Sequence, residues 1–152
     1  MAIYFYRVNE PYGAFSNFAR YGFDLNGKHW PTSEHYFQAQ KFAGTAHEDE
    51  VRLAPTAGSA ARAGRDRQLP LRRDWEEVKL EVMRTALRGK FGSHSVLVDL
   101  LLSTGEEEIV EKTTDDYYWG CGSEGNGLNM LGKLLMELRA EYQRGADSAA
   151  GS

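Results

Sequence analysis

Glu34, Phe37, Gln38 and Lys41 fall at i, i+3, i+4 and i+7 within the run Trp30–Phe42, W-P-T-S-E-H-Y-F-Q-A-Q-K-F. On a helix that spacing puts all four on one face. The face then carries a carboxylate, an amide and an amine beside aromatic rings. An acid near a helix N-terminus and a lysine two turns later can work on the same bound substrate. Helical side chains lean toward the N-terminus, so the long Lys41 chain points back along the stripe toward Glu34. The same spacing also describes an ordinary amphipathic helix with a solvated Glu34 and Lys41. Tyr36, Phe37 and Phe42 sit oddly on a surface helix, and an unpaired Glu34 and Lys41 sit oddly in a core helix.

The elements that must position this face are legible upstream. Pro31 suits a first helical turn, where its missing N–H has no partner to lose, and Thr32 or Ser33 can cap the free amides. Tyr21 to Trp30 reads as a hairpin turning at Asn26-Gly27, both of which tolerate positive φ, and it feeds directly into the helix. Ile3–Val8 (I-Y-F-Y-R-V) is β-branched and aromatic, hence a strand. In Phe15-Ser16-Asn17-Phe18, Asn17 either caps a turn or presents its amide to a ligand.

Downstream, Ala46–Leu53 reads as a helix ended by Pro55. Thr56–Arg65 is a small-residue helix, and Arg62–Arg73, with its five arginines, is a charged loop. Asp74–Gly89 is the clearest helix. Asp74 and Glu77 resemble a capping box, and Trp75, Val78, Val82 and Ala86 form its stripe, with Leu80, Met83 and Leu87 alongside. Ser93 is positioned to cap a helix reaching Leu102, Gly105 to stop it, and Glu107–Thr113 to form a strand. A last helix buries Leu131, Leu134, Leu135, Leu138 and Tyr142.

Asp115–Asn129 (D-D-Y-Y-W-G-C-G-S-E-G-N-G-L-N) is the second chemical stretch. Gly120, Gly122, Gly125 and Gly127 free the backbone to approach a ligand, and a glycine loop feeding a helix N-terminus suits an anion. Many such loops are only tight turns. Trp119 can stack on a nucleobase, though a tryptophan is more often core.

The chain has 152 residues, 41% of them hydrophobic, the size of one domain with its own core. The formal charge is −4, yet Val51–Lys90 holds ten Lys/Arg against five Asp/Glu, a face that could meet phosphates, although charge alone favours a set of solvated helix surfaces. One cysteine, Cys121, excludes an internal disulfide and fits a reducing compartment. Met1–Val8 lacks the apolar run of a signal peptide, and no segment approaches membrane-spanning length. We therefore expect a cytoplasmic protein without a membrane partner. The domain is expected over residues 1–144, with 145–152 a small, polar, disordered tail. His29, His35, His47 and His94 do not cluster with carboxylates at ligand spacing, so no metal is expected.

Taken together, S-N-F at Ser16–Phe18, G-K-H-W-P-T-S-E-H-Y-F-Q-A-Q-K-F at Gly27–Phe42, D-x-x-W-G-C-G at Asp116–Gly122 and G-L-N-M-L-G-K-L-L-M-E-L-R at Gly127–Arg139 resemble the NADAR family of YbiA-like N-glycosidases. D-W at Asp74–Trp75 and K-F at Lys90–Phe91 also fit. The resemblance implies a predominantly helical α+β domain with a small antiparallel hairpin near its N-terminus. It also implies cofactor-free cleavage of a ribosyl C1–N bond. Family substrates are ADP-ribose on guanine in DNA or RNA, and the phosphoribosylamino-pyrimidines of riboflavin synthesis. The first is favoured here.

Such a cleavage has two routes. A carboxylate can stabilise an oxocarbenium-like state while an acid protonates the leaving nitrogen. Alternatively, the ring opens and a lysine captures C1 as a Schiff base. The resemblance implies the second route, with Lys41 as nucleophile and Glu34 moving protons. Lys41 must then be partly neutral, in an apolar setting that Phe37 and Phe42 can supply. Candidate substrate-binding residues are Ser16, Asn17, Trp30, Gln38, Asp116, Trp119, Gly120, Gly122 and Asn129. For Asn17, Asp116 and Asn129, loop bracing is an equal alternative. A silent ADP-ribose or nucleotide binding module and a plain interaction protein are the competing classes.

Overall fold

Asn26 and Gly27 adopt φ of 55° and 76°, the left-handed pair that folds two strands back on each other with matching twist. They join β2 (Phe23–Leu25) to β3 (Lys28–Trp30), antiparallel with Phe23 opposite Trp30 and Leu25 opposite Lys28. The structure is a computed structural model that describes residues 1–150, with side chains to Gly145. Of the tail expected at 145–152, residues 145–150 continue the last helix, and 151–152 lie outside the described residues.

Six α-helices and four short strands occur among the described residues, a helix-rich α+β arrangement. They form two compact units, Asn17–Ser93 and Met1–Ser16 with His94–Ser152. No helix among the described residues is long and apolar enough to cross a membrane.

In the unit Asn17–Ser93, the hairpin leads into α1 (Ser33–Gln40). Thr32 is its N-cap, and its hydroxyl accepts the His35 amide at 3.1 Å. Pro31 therefore stands one residue before the cap rather than in the first turn, and its ring still loses no helical hydrogen bond there. Ser33 through Ala39 are all buried, because α2 (Ala46–Arg52), α3 (Ala57–Gly64) and α4 (Trp75–Gly92) all pack against α1. Phe23, Trp30, Tyr36, Ala39, Phe42, Val51, Ala60 and Ala86 form the core beside it. Thr56 and Ser59 make the reciprocal capping box of α3.

Two capping expectations fail for the same reason: another partner takes the capping side chain. Asp74 makes no cap hydrogen bond. Both its oxygens accept from Arg72, at 2.6 and 3.0 Å, and a bidentate charged pair outweighs one neutral amide. Ser93 Oγ donates back to the Gly89 carbonyl at 2.8 Å and closes α4, so the next helix starts later, after His94. The buried stripe of α4 also runs further than expected. It holds Trp75, Met83, Ala86, Leu87, Lys90 and Phe91, with Val78 and Val82 only half-buried.

In the other unit, β1 (Ile3–Phe5) pairs in parallel with β4 (Ile109–Glu111), Ile3 opposite Ile109. α5 (Ser95–Ser103) and β4 both pack on α6 (Met130–Ala150). α6 buries Leu131, Leu134, Leu135 and Leu138, while Tyr142 is half-buried. Arg139, also buried, donates to Thr104 Oγ1 at 2.8 Å and the Glu107 carbonyl at 2.7 Å.

Candidate active site

Helix α1 enters its first turn under a staple. Asn17 Oδ1 accepts from Ser33 Oγ at 2.7 Å, its carbonyl accepts the Glu34 amide at 3.2 Å, and its Nδ2 reaches Met83 Sδ at 3.4 Å. The side chain is buried and committed to α1 and α4. Glu34 follows, only 7% exposed, at the helix end whose dipole favours an anion. Its Oε1 accepts from Gln38 Nε2 at 2.7 Å. Gln38 is 3% exposed, and its Oε1 has no hydrogen-bond partner among the described residues.

Lys41 caps the C-terminal end of α1 instead of continuing the helix. Its Nζ donates to the Gly64 carbonyl at 3.2 Å and lies 5.9 Å and 5.8 Å from the ring centroids of Phe37 and Trp75. These rings meet edge to face at 5.1 Å. Burial pulls the Lys41 pKa below the usual lysine value; Glu34 raises it, Arg65 lowers it and Glu76 raises it. An amine that burial shifts toward its neutral form and a buried carboxylate thus lie at the two ends of one helix, which suits nucleophilic attack with proton transfer.

The apolar wall differs from expectation. Phe42 is core, 2% exposed and edge-on to His47, and Trp75 stands where Phe42 was expected. Trp30 is also core, at 2% exposure. Its indole N–H donates to the Leu25 carbonyl at 3.3 Å and its ring meets Tyr36 at 5.0 Å. It offers no face to a sugar or base. Arg72 was not singled out, yet its amide donates to the Lys41 carbonyl at 3.0 Å and its Nη1 to the Gln40 carbonyl at 3.4 Å. Asp74 holds the guanidinium. Trp75 and Arg72 lie more than 30 residues from Lys41, and only the D-W pair at Asp74–Trp75 signalled either.

A second lysine, Lys90, is held by burial at a pKa of about 7. It is 0% exposed, whereas Lys41 is only half-buried.

Ser16, Asp116, Trp119, Gly120, Gly122 and Asn129 belong to the other unit. Ser16 is buried and its amide closes a turn on Gly13. Asp116 Oδ1 accepts the amides of Tyr118 and Trp119 at 3.0 and 2.8 Å, an Asx turn. Asn129, with φ 52°, accepts the Glu111 amide and donates to the Ile109 carbonyl, both at 2.9 Å, tying the start of α6 to β4. Gly122 has φ 73°, and a Cβ there would run into the Tyr117 ring, 2.5 Å from Cδ1. The amides of Cys121, Gly122, Gly125, Gly127, Leu128 and Asn129 all donate within the loop or to β4 and its end. That leaves few to cradle an anion, so the glycine loop does not have the geometry expected of an anion site. Trp119 is half-buried against Tyr118, 4.7 Å between centroids. Among the described residues no group of three or more His, Cys, Asp or Glu is placed to hold a metal.

The model of the NADAR domain matches residues 4–143, taking in most of both units. The chain belongs to the NADAR family. It is 53% identical over 139 residues to the N-glycosidase YbiA of Escherichia coli (strain K12), covering 91% of this chain and 87% of that protein. It is 46% identical over 146 residues to the N-glycosidase Npun_R5314 of Nostoc punctiforme, covering 94% of each. A riboflavin biosynthesis protein of Vibrio vulnificus is 41% identical over 144 residues, 95% of this chain but 39% of that longer one. The NMR structure of E. coli YbiA superposes with a TM-score of 0.88 at 51% identity, covering 96% of this chain and 87% of that one. This NADAR chain therefore shares with YbiA a fold as well as a sequence.

Proposed function

We propose that this NADAR protein is an N-glycosidase that removes ADP-ribose from guanine in nucleic acid through a Schiff base on Lys41. The observation that carries the reading is the half-buried Lys41 amine, lowered in pKa by burial beside Phe37 and Trp75, on the same helix as Glu34. Arg65, near enough to lower that pKa, can take a substrate phosphate. The excess of Lys/Arg over Val51–Lys90 lies in the same unit and suits a short stretch of nucleic acid.

The chemistry balances without an added reagent. The ribose ring opens as O4′ takes a proton and C1 becomes an imine to the base nitrogen. The neutral amine of Lys41 adds to C1. The Glu34 carboxylate takes the proton that the Lys41 nitrogen sheds on addition and passes it to the base nitrogen, the C1–N bond breaks, and the base leaves with the electron pair. Water then adds to the lysine imine, Glu34 accepts its proton, and the carbinolamine collapses to release the aldehyde form of the sugar and free Lys41.

The second reading is hydrolysis of a phosphoribosylamino-pyrimidine, favoured by the similarity to the riboflavin biosynthesis protein of Vibrio vulnificus. The same residues serve it, since that substrate also joins ribose C1 to nitrogen.

The test is incubation with an oligonucleotide carrying ADP-ribosyl-guanine, with and without borohydride, followed by mass spectrometry. Loss of ADP-ribose with a reduced adduct on the Lys41 peptide is the expected result. Release without an adduct, joined to normal turnover by Lys41→Ala, removes the Schiff base. An unchanged oligonucleotide beside a cleaved phosphoribosylamino-pyrimidine moves the assignment to the second reading.

A further inference from the structure

Gly64 ends α3 at an ordinary φ, so nothing in its backbone requires a glycine, and a helical position of this kind otherwise favours alanine. What requires it is space. A Cβ on Gly64 would overlap Gln38 Oε1 and lie 2.7 Å from Cδ and 2.8 Å from Cβ of the same side chain. The clash reaches back to the root of Gln38, which is 3% exposed, so turning the amide tip cannot relieve it.

The Gln38 oxygen, buried without a hydrogen-bond partner, therefore faces the bare Cα of Gly64, while the amide nitrogen donates to Glu34 at 2.7 Å. A Cα–H is at most a weak donor, so this oxygen is held by packing. The carbonyl of the same glycine accepts from Lys41 Nζ at 3.2 Å. One residue thus touches both arms of the site.

We propose that Gly64 is a positioning residue for the reaction: its missing side chain seats the Gln38 amide that holds Glu34, and its carbonyl holds the Lys41 amine, so one turn of α3 sets the spacing of acid and amine. The inference rests on the reading that Glu34 and Lys41 carry the chemistry. It adds that Gly64 acts on Glu34 through Gln38 and not through the general fold.

The test is a double-mutant cycle on whichever substrate is turned over, the ADP-ribosyl-guanine oligonucleotide or the phosphoribosylamino-pyrimidine. Gly64→Ala and Gln38→Gly are each expected to lower kcat by about tenfold or more with KM within about twofold, the signature of misplaced catalytic groups. In the Gln38→Gly background, where the side-chain atoms that a Cβ on Gly64 would meet are gone, Gly64→Ala is expected to lower kcat no further. A multiplicative loss in the double variant, or a kcat for Gly64→Ala within about twofold of the parent, overturns the inference. If Gly64→Ala alone does not fold, comparing the double variant with Gln38→Gly still decides it. Lys41→Ala is run beside them. Normal turnover by that variant sinks the underlying reading, whereas an inactive Lys41→Ala beside a fully active Gly64→Ala sinks only the role of Gly64.

Discussion

The amine of Lys41 lies 5.8 Å from the ring centroid of Trp75, which reaches it from the first residue of α4. A lysine walled in this way loses hydration, and its neutral form gains. Glu34 and Glu76 oppose that loss and Arg65 adds to it. The attacking amine must be deprotonated, so kcat/KM should rise with pH through a pKa below the ordinary lysine value of 10.5. Trp75→Gln admits polarity to the wall and should move that rising limb to higher pH. At pH values below both limbs, the rate should fall roughly tenfold per unit of upward shift. A pH profile of kcat/KM on the two proteins checks this, and an unmoved limb would separate Trp75 from the amine.

Glu34→Gln keeps the shape of the side chain and a carbonyl oxygen for Gln38 Nε2 to donate to. Folding should survive, while proton transfer to the leaving nitrogen is lost. Turnover is expected to drop by about 10²–10⁴. Circular dichroism establishes the fold and a single-turnover assay the rate. A leaving group more acidic than the natural base should recover part of the loss.

Lys90 bears on stability, not chemistry. Its pKa is about 7 in the fold, because burial opposes its charge, and 10.5 when the chain is open. Between those values the unfolded chain binds the extra proton, so stability rises with pH, by up to about 1.4 kcal/mol per unit. Below pH 7 both states are charged and the dependence ends. Lys90→Met should remove this slope and stabilise the protein most at neutral pH and below. Urea unfolding of both proteins at several pH values from 6 to 9 checks it, and parallel curves would refute it.

Asn129 holds two backbone groups of β4 and sits at φ 52°. Asn129→Ala strands those groups and gives up asparagine's tolerance of the left-handed region, at a cost of about 2–4 kcal/mol. A lower Tm with KM unchanged is the expected outcome. A raised KM at unchanged Tm would instead make Asn129 a substrate contact.

What could be read from the sequence was local. Asn26-Gly27 announces its turn by φ preference, Thr32 its cap, and Gly105, at φ 64°, its helix stop. Glu34 and Lys41 announce themselves by their spacing on one helix. What stayed hidden depends on residues brought together from far apart. Trp75 replaces Phe42 beside Lys41 because α4 returns to α1, and no periodicity inside Trp30–Phe42 encodes that return. In the sequence Gly64 is one small residue among several, and only the fold lays Gln38 over it. The parallel pairing of Ile3 with Ile109 has no turn to advertise it. Asp74 and Ser93 do not cap as their motifs suggest, because a cap motif does not reveal a competing partner, here Arg72 and the Gly89 carbonyl.

Helix α1 is buried at every position from Ser33 to Ala39. An ordinary surface helix has a wet side on which substitutions drift freely, so its tolerance to change beats with the helical period. This helix has no such side. Its seven successive positions face a packed neighbour or a committed hydrogen bond, and tolerance along it should be flat and low. Any new specificity in this protein has to be built on the elements around α1, because the helix carrying the acid and the amine has no spare surface on which to vary.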